Sequence, residues 1–221
     1  MFIGNRIIKQ RLGNVCFLWG RGKTTIANIL RKRYEAVIYS TDESRWPHMC
    51  EASPDEQPYM CRDYEAEYGV SFWELPKEVI AEREEHFLVE MTPFIIADLL
   101  VMTGKHSIVF CEGDIDYEAV APIASHAVYL CNRSTDFDWF SRPDHADALD
   151  AIRRRTDLSD AEKQEKIDAA YNAVAQNEGT IPEWVIRHHI PVIVWDDHTT
   201  PEETADAVAE TLGLTTSMAS T

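Results

Sequence analysis

The stretch Asn14-Val15-Cys16-Phe17-Leu18-Trp19-Gly20-Arg21-Gly22-Lys23-Thr24-Thr25 limits what this chain can fold into more than any other. An apolar run, a glycine-containing turn, Lys-Thr-Thr and then a helical pattern make the strand, loop and helix unit that grips a nucleotide's phosphates. Gly20 and Gly22 take backbone angles closed to other residues and let main-chain N–H groups approach an anion with no Cβ in the way. Lys23 would reach the β- and γ-phosphates, and the Thr24 hydroxyl would hold Mg²⁺. The positive end of the following helix would face the same charge. Arg21 and Thr25 complete the candidate loop. Ile26, Ile29, Leu30 and Tyr34 then recur at helical spacing, with Arg31, Lys32 and Arg33 on the wet side.

The loop departs from the full pattern G-x-x-x-x-G-K-S/T. Counting back from Gly22 puts Phe17, a strand residue, where the first glycine belongs, so the loop is about three residues short. A shorter loop has fewer amides with which to wrap a triphosphate.

The chain has 221 residues, 45% of them hydrophobic, which suffices for one substantial core. One α/β domain is expected over residues 1–213, followed by a disordered tail at 214–221. The net charge of −17 excludes a broad nucleic-acid surface, which needs clustered Lys and Arg. The five cysteines, at 16, 50, 61, 111 and 131, form no CxxC pair; three lie in apolar strand-like runs, where a thiol behaves as a small core residue. Residues 1–12 lack the apolar core of a signal sequence, and nowhere do 18 apolar residues run together, so a soluble cytoplasmic protein with no membrane partner is expected.

Along the chain, Ala36–Thr41 reads as a strand ending in Asp42-Glu43-Ser44-Arg45, where open α/β sheets bind ligands. Trp46–Pro76 holds four prolines, aromatics and acids without period, and predicts short helices and loops covering part of a cleft. Lys77–Thr103 is helical, with Pro93 expected to kink or divide it. His106–Asp114 is a strand buried on both faces that emits Glu112 and Asp114 at its end; an acid there can hold Mg²⁺ through water or orient a nucleophile. Asp116 and Glu118 read as helix-start acids. Ala127–Cys131 and Pro191–Trp195 are the remaining strands, with helices around Ala148–Ile152 and from Ser159 between them. Arg153-Arg154-Arg155 is either an anion-facing cluster or a solvated helix end. Thr200, Pro201 and Glu203 give the last helix a capping box.

Five apolar strands alternating with helices make a three-layer doubly wound α/β fold. Gly-Arg-Gly-Lys-Thr-Thr (20 to 25), Ser-Thr-Asp-Glu-Ser-Arg (40 to 45), Val-Phe-Cys-Glu-Gly-Asp (109 to 114) and Trp-Asp-Asp-His-Thr-Thr-Pro-Glu-Glu (195 to 203) come in the order seen in P-loop small-molecule kinases. The chain most resembles the branch that includes nucleoside-monophosphate kinases, zeta-toxin-type kinases and 2-phosphoglycerate kinase. That resemblance implies a five-stranded parallel sheet of order 2-3-1-4-5, a substrate-side insertion at 46–76 and a lid-like helical region at 132–180. It also implies ATP with Mg²⁺ as cofactors and a small-molecule or nucleotide acceptor of the phosphoryl group. By it, Asp42 is the general base or acceptor contact, Arg45 a substrate anchor, and Glu112 the metal-side or water-orienting acid. Asp197, His198 and Thr199 would lie near the adenine, while Arg142, Arg153 and Arg154 are candidates for the lid arginine. A kinase-like fold that has lost turnover and serves as a nucleotide-binding or regulatory protein is the alternative that the short loop raises. Under the kinase reading, Lys23, Asp42, Arg45 and Glu112 converge on one cleft at the carboxyl ends of the strands.

Overall fold

The computed structural model describes residues 8, 12–70, 75–120, 123, 124, 126–133, 143–175 and 179–214. Strand β1 (Val15–Gly20) passes in two residues into α1 (Lys23–Tyr34), followed by β2 (Val37–Ser40) and α2 (Thr41–Glu51). Two short helices, α3 (Pro58–Cys61) and α4 (Tyr64–Tyr68), lead to the long α5 (Lys77–Thr103). Then come β3 (Val109–Glu112), α6 (Tyr117–Val120), β4 (His126–Asn132), α7 (Pro143–Arg154) and α8 (Asp160–Ala175). Helix α9 (Glu183–Arg187), β5 (Val192–Trp195) and α10 (Pro201–Thr211) follow.

The five strands form one parallel sheet in the order β2-β3-β1-β4-β5. This is the order 2-3-1-4-5 expected above, with the β1–turn–α1 unit at the centre and the strand that ends beside Asp42 at one edge. The register sets the level of the rim: Glu112 stands opposite both Leu18 of β1 and Ser40 of β2. On the other side, Gly20 stands opposite Leu130, and Asn132 opposite Trp195. Because every crossover is parallel, the turns leaving β1, β2, β3 and β5 open on the same side of the sheet.

Alternation along the strands divides the core in two. Val15, Phe17 and Trp19 join Tyr39, Val109 and Cys111 against Phe87, Met91, Ile95 and Leu99 of α5. Cys16 and Leu18 point the other way, with Phe110, Val128 and Leu130, against Ile26, Ala27 and Leu30 of α1 and Ala205, Val208 and Ala209 of α10. Side chains of this size contribute about 1.5–3 kcal/mol each when fully buried. Helix α10 starts where the sequence places it, since Thr200 Oγ1 accepts from the Glu203 amide at 3.2 Å and the Glu203 carboxylate accepts from the Thr200 amide at 2.9 Å. An aromatic cluster fills the end of the first core: Trp184 of α9 stacks on Tyr117 at 4.0 Å and meets Trp19 edge-on at 5.6 Å.

Of the two outcomes expected at Pro93, division is excluded, because the helix is continuous over 27 residues. The N–H that Pro93 lacks would have bonded the carbonyl of Val89, and both residues lie on the exposed side, where water replaces the lost donor. The irregular stretch also begins later than expected, because α2 runs from Thr41 through Pro47 to Glu51. Asp42 and Glu43 occupy its first turn, where carboxylates complement the helix dipole. Among the described residues one helix segment, Glu78–Thr103, is long and apolar enough to cross a membrane by length and composition, and its Phe87, Met91, Ile95 and Leu99 are buried in the core. Residues 215–221 lie outside the described residues.

Candidate active site

The turn between β1 and α1 is held from two neighbouring strands. Gly20 has φ +87, and a Cβ there would fall 2.0 Å from the Leu130 carbonyl oxygen. The same carbonyl accepts the Arg21 amide at 3.1 Å, while Trp195 Nε1 donates to the Arg21 carbonyl at 3.1 Å. The Trp195 ring lies 3.3 Å from where a Gly22 Cβ would stand. The chain then enters α1 with Gly22 as an N-cap at φ +85 and no capping side chain. Helix geometry leaves the amides of Lys23, Thr24 and Thr25 without intrahelical acceptors, so a cluster of donors and a positive dipole end open onto the rim.

Across the rim, Thr24 Oγ1 donates to Glu112 Oε2 at 2.8 Å. Glu112 is only 3% exposed. A threonine hydroxyl that gives its proton to a carboxylate keeps its lone pairs for a cation. Adjacent ligands of octahedral Mg²⁺, with bonds of ~2.1 Å, stand ~2.9 Å apart, so the spacing of this pair suits that ion. Among the described residues no group of three or more His, Cys, Asp or Glu could enclose a metal. One hydroxyl with one carboxylate fits Mg²⁺, which keeps most of its waters and takes further oxygens from phosphates.

Beside Glu112 the chain turns at Gly113, whose φ is +118 and whose Cβ would meet Thr41 Oγ1 at 2.0 Å. The close approach brings the start of α2 against the end of β3. Asp114, the next residue, feels Lys23, Asp42, Glu84 and Arg45 together. Its carboxyl is held above the ordinary Asp value, first by the protein crowded around it and then by Asp42 and Glu84, while Lys23 and Arg45 pull the other way. Asp114 is nevertheless an exposed residue on the wall of an open cleft, which weakens the effect of that crowding. Lys23, Asp42, Arg45 and Glu112 therefore gather around this one rim, Lys23 from α1, Asp42 and Arg45 from α2, and Glu112 from β3.

The cleft beyond Asp114 has a volume of about 1230 Å³ and lies between α2, α3, α4 and α5. Arg45 lies over the Phe87 ring at 4.1 Å and donates to both oxygens of Glu84, at 2.9 and 3.2 Å. Arg83 pairs with the same carboxylate; burial lowers the guanidinium's proton affinity and Glu84 opposes that effect.

Three other candidates, Arg153, Arg154 and Thr199, pair within their own segments. Arg153 and Arg154, at the end of α7, both pair with Asp150 of their own helix, at 2.9 and 3.8 Å. Arg142 lies outside the described residues. The segment after β5 leaves on the ligand rim, but the Thr199 hydroxyl donates to Asp196 at 3.0 Å, and Asp196 also accepts the His198 amide at 2.9 Å. Asp197 is exposed in that turn.

Three residues here have no individual role assigned from the sequence. Asp114 stands out in it only as the second carboxylate of Glu-Gly-Asp. Trp195 belongs to a motif, but the packing of its ring on Gly22 is a contact between chain segments with no local signal. Glu84 sits in the acidic run Glu82-Arg83-Glu84-Glu85, where nothing singles it out.

No family model matches this chain, and no curated protein matches it. Among solved structures the chain aligns with the unliganded crystal structure of a sugar kinase from Janibacter sp. HTCC2649, at 14% identity and a TM-score of 0.37, over 94% of this chain and 99% of that one. A likeness of that strength carries no functional information.

Proposed function

We propose that this chain is an ATP- and Mg²⁺-dependent phosphotransferase acting on a small metabolite or nucleotide. The observation that supports it most is the 2.8 Å hydrogen bond from Thr24 to the buried Glu112, set at an uncapped helix start beside Lys23. In this reading Thr24 and Glu112 would hold the ion, which supplies charge neutralisation at the phosphates when bound. The amides of Lys23 to Thr25 bind the nucleotide's phosphates, and the Lys23 ammonium stabilises charge on the moving phosphoryl group. Asp42 accepts the acceptor's proton, with Asp114 beside it as a second carboxylate. Arg45 anchors the acceptor's side of the cleft. Residues 1–213 act as one domain, with 132–180 as the lid and an arginine of that region, Arg142, Arg153 or Arg154, reaching the phosphates. Asp197 and Thr199 border the base.

The test is a nucleotide screen by thermal shift with and without Mg²⁺, followed by ATP consumption with a panel of acceptors. A nucleotide present at a hundred times its Kd raises stability by about 2.7 kcal/mol. No shift with any purine nucleotide and Mg²⁺ at millimolar concentration would remove the reading.

The turn itself favours a second reading. With only Arg21 and Gly22 between strand and helix, and with the Arg21 amide given to Leu130, few amides remain to wrap a triphosphate. A nucleotide-binding or regulatory protein that keeps the fold without turnover would show the thermal shift and no ATP consumption.

A further inference from the structure

We propose that the acceptor is a hydroxyl-rich molecule of low net charge, of the carbohydrate or polyol class, and not a phosphomonoester; this rests on the phosphotransferase reading above. The wall of the 1230 Å³ cleft carries three guanidinium groups, Arg45, Arg62 and Arg83, and three carboxylates, Asp63, Glu84 and Asp114. The guanidinium groups are already matched. Glu84 takes Arg45 and Arg83, and Arg62 donates to both oxygens of Glu67 at 2.6 and 2.5 Å. A phosphate dianion entering this wall would have to displace resident carboxylates from their arginines. It would also meet Asp63 and Asp114 as like charges, with Asp42 beside Asp114.

Hydroxyl groups meet the same wall on better terms, because each donates to a carboxylate and accepts from a guanidinium without disturbing charge balance. Two further features point to such a ligand. Tyr64 is 4% exposed and lines the cleft, and its hydroxyl, although beside the Arg62 guanidinium, makes no hydrogen bond of acceptable geometry. A buried O–H of this kind is completed by one partner that both donates and accepts, which a ligand hydroxyl does. Trp46 lines the same cleft with 71% of its surface exposed, near Met49 and Met60. An indole face left to water beside paired charges suits the C–H face of a saturated ring.

The experiment measures binding by calorimetry to the full chain without nucleotide. One arm uses uncharged probes: D-glucose, D-ribose, myo-inositol, glycerol and N-acetylglucosamine. The other uses phosphomonoesters: AMP, CMP, UMP and 2-phosphoglycerate. At least one uncharged probe is expected to bind about tenfold more tightly than every phosphomonoester. Trp46→Ala should weaken that binding about tenfold, and Tyr64→Phe several-fold with melting temperature kept or raised. Tighter binding of a phosphomonoester, no binding of any uncharged probe at millimolar concentration, or full affinity in the Trp46→Ala variant would overturn the proposal. A separate titration with ATP and Mg²⁺ distinguishes the two failures. Nucleotide binding without uncharged-probe binding sinks the acceptor class alone, whereas probe binding without nucleotide binding sinks the phosphotransferase reading.

Discussion

Thr24 and Glu112 lie 88 positions apart in sequence and are joined by a 2.8 Å hydrogen bond across the central strand pair. The register of β1 with β3 makes the contact, since Glu112 stands opposite Leu18 and the intervening turn lifts Thr24 to the same level. Glu112→Gln keeps an oxygen for the Thr24 hydroxyl but removes the charge. The expected outcome is a loss of at least about tenfold in Mg²⁺-dependent nucleotide affinity, with Mg²⁺-free binding little changed. Calorimetry with and without the ion measures it. Thr24→Val should instead cost stability, by about 1–3 kcal/mol, because it leaves the buried carboxylate without its donor.

That contact was legible in the sequence for a topological reason. Short motifs at the ends of apolar runs, together with right-handed parallel crossovers, dictate that Gly-Lys-Thr-Thr, Asp42 and Glu112 share a rim. The cleft beyond Asp114 was not legible in the same way. Arg45 and Tyr64 meet Arg83 and Glu84 because α2 and α3 pack against α5, and no periodic pattern encodes how an irregular proline-containing stretch lies. Whether Pro93 divides its helix depends on whether the orphaned Val89 carbonyl reaches water, a matter of packing. Arg153 and Arg154 both pair with Asp150, one turn away.

Asp114 gives a pH prediction whose sign follows from its surroundings. A carboxyl whose folded pKa is raised above the ordinary 3.8 binds its proton more tightly in the folded chain. Its contribution to stability is fully present below 3.8 and is lost as pH rises through the higher folded value. Asp114→Asn, which cannot ionise, should therefore melt higher than the parent at pH 7, and the difference should vanish as pH falls below 3.8. Under the phosphotransferase reading the same variant loses activity at pH 7. Melting curves across pH, paired with rate measurements, check both; an unchanged melting temperature at pH 7 would contradict the crowding assigned to this group.

Two glycines separate steric from conformational cost. At Gly213, φ is +67 and nothing stands near the missing Cβ, so Gly213→Ala should cost only the left-handed penalty of about 1–2 kcal/mol. At Gly20 the same substitution adds a Cβ 2.0 Å from the Leu130 carbonyl oxygen. That overlap with backbone on the adjacent strand should take the loss above about 4 kcal/mol, and denaturant unfolding of the two variants measures the difference.

The sharpest division between turnover and mere binding comes from lengthening the turn. Inserting Ser-Gly-Ser between Gly20 and Arg21 adds amides but breaks a fitted arrangement: the Arg21 amide leaves Leu130, and Trp195 loses both its bond to the Arg21 carbonyl and its seat on Gly22. Two hydrogen bonds at about 1 kcal/mol each set the expected loss of stability near 2 kcal/mol. If the two-residue turn already serves catalysis, the position of Lys23 relative to Thr24 and Glu112 depends on those ties. The insertion should then lower kcat about tenfold or more while leaving nucleotide affinity within a few-fold, since misplacement affects the transition state more than the ground state. The opposite result, a rise in nucleotide affinity with ATP consumption appearing only in the lengthened protein, would mean that the native turn has given up phosphoryl transfer and that the rim serves to bind a nucleotide without hydrolysing or transferring it.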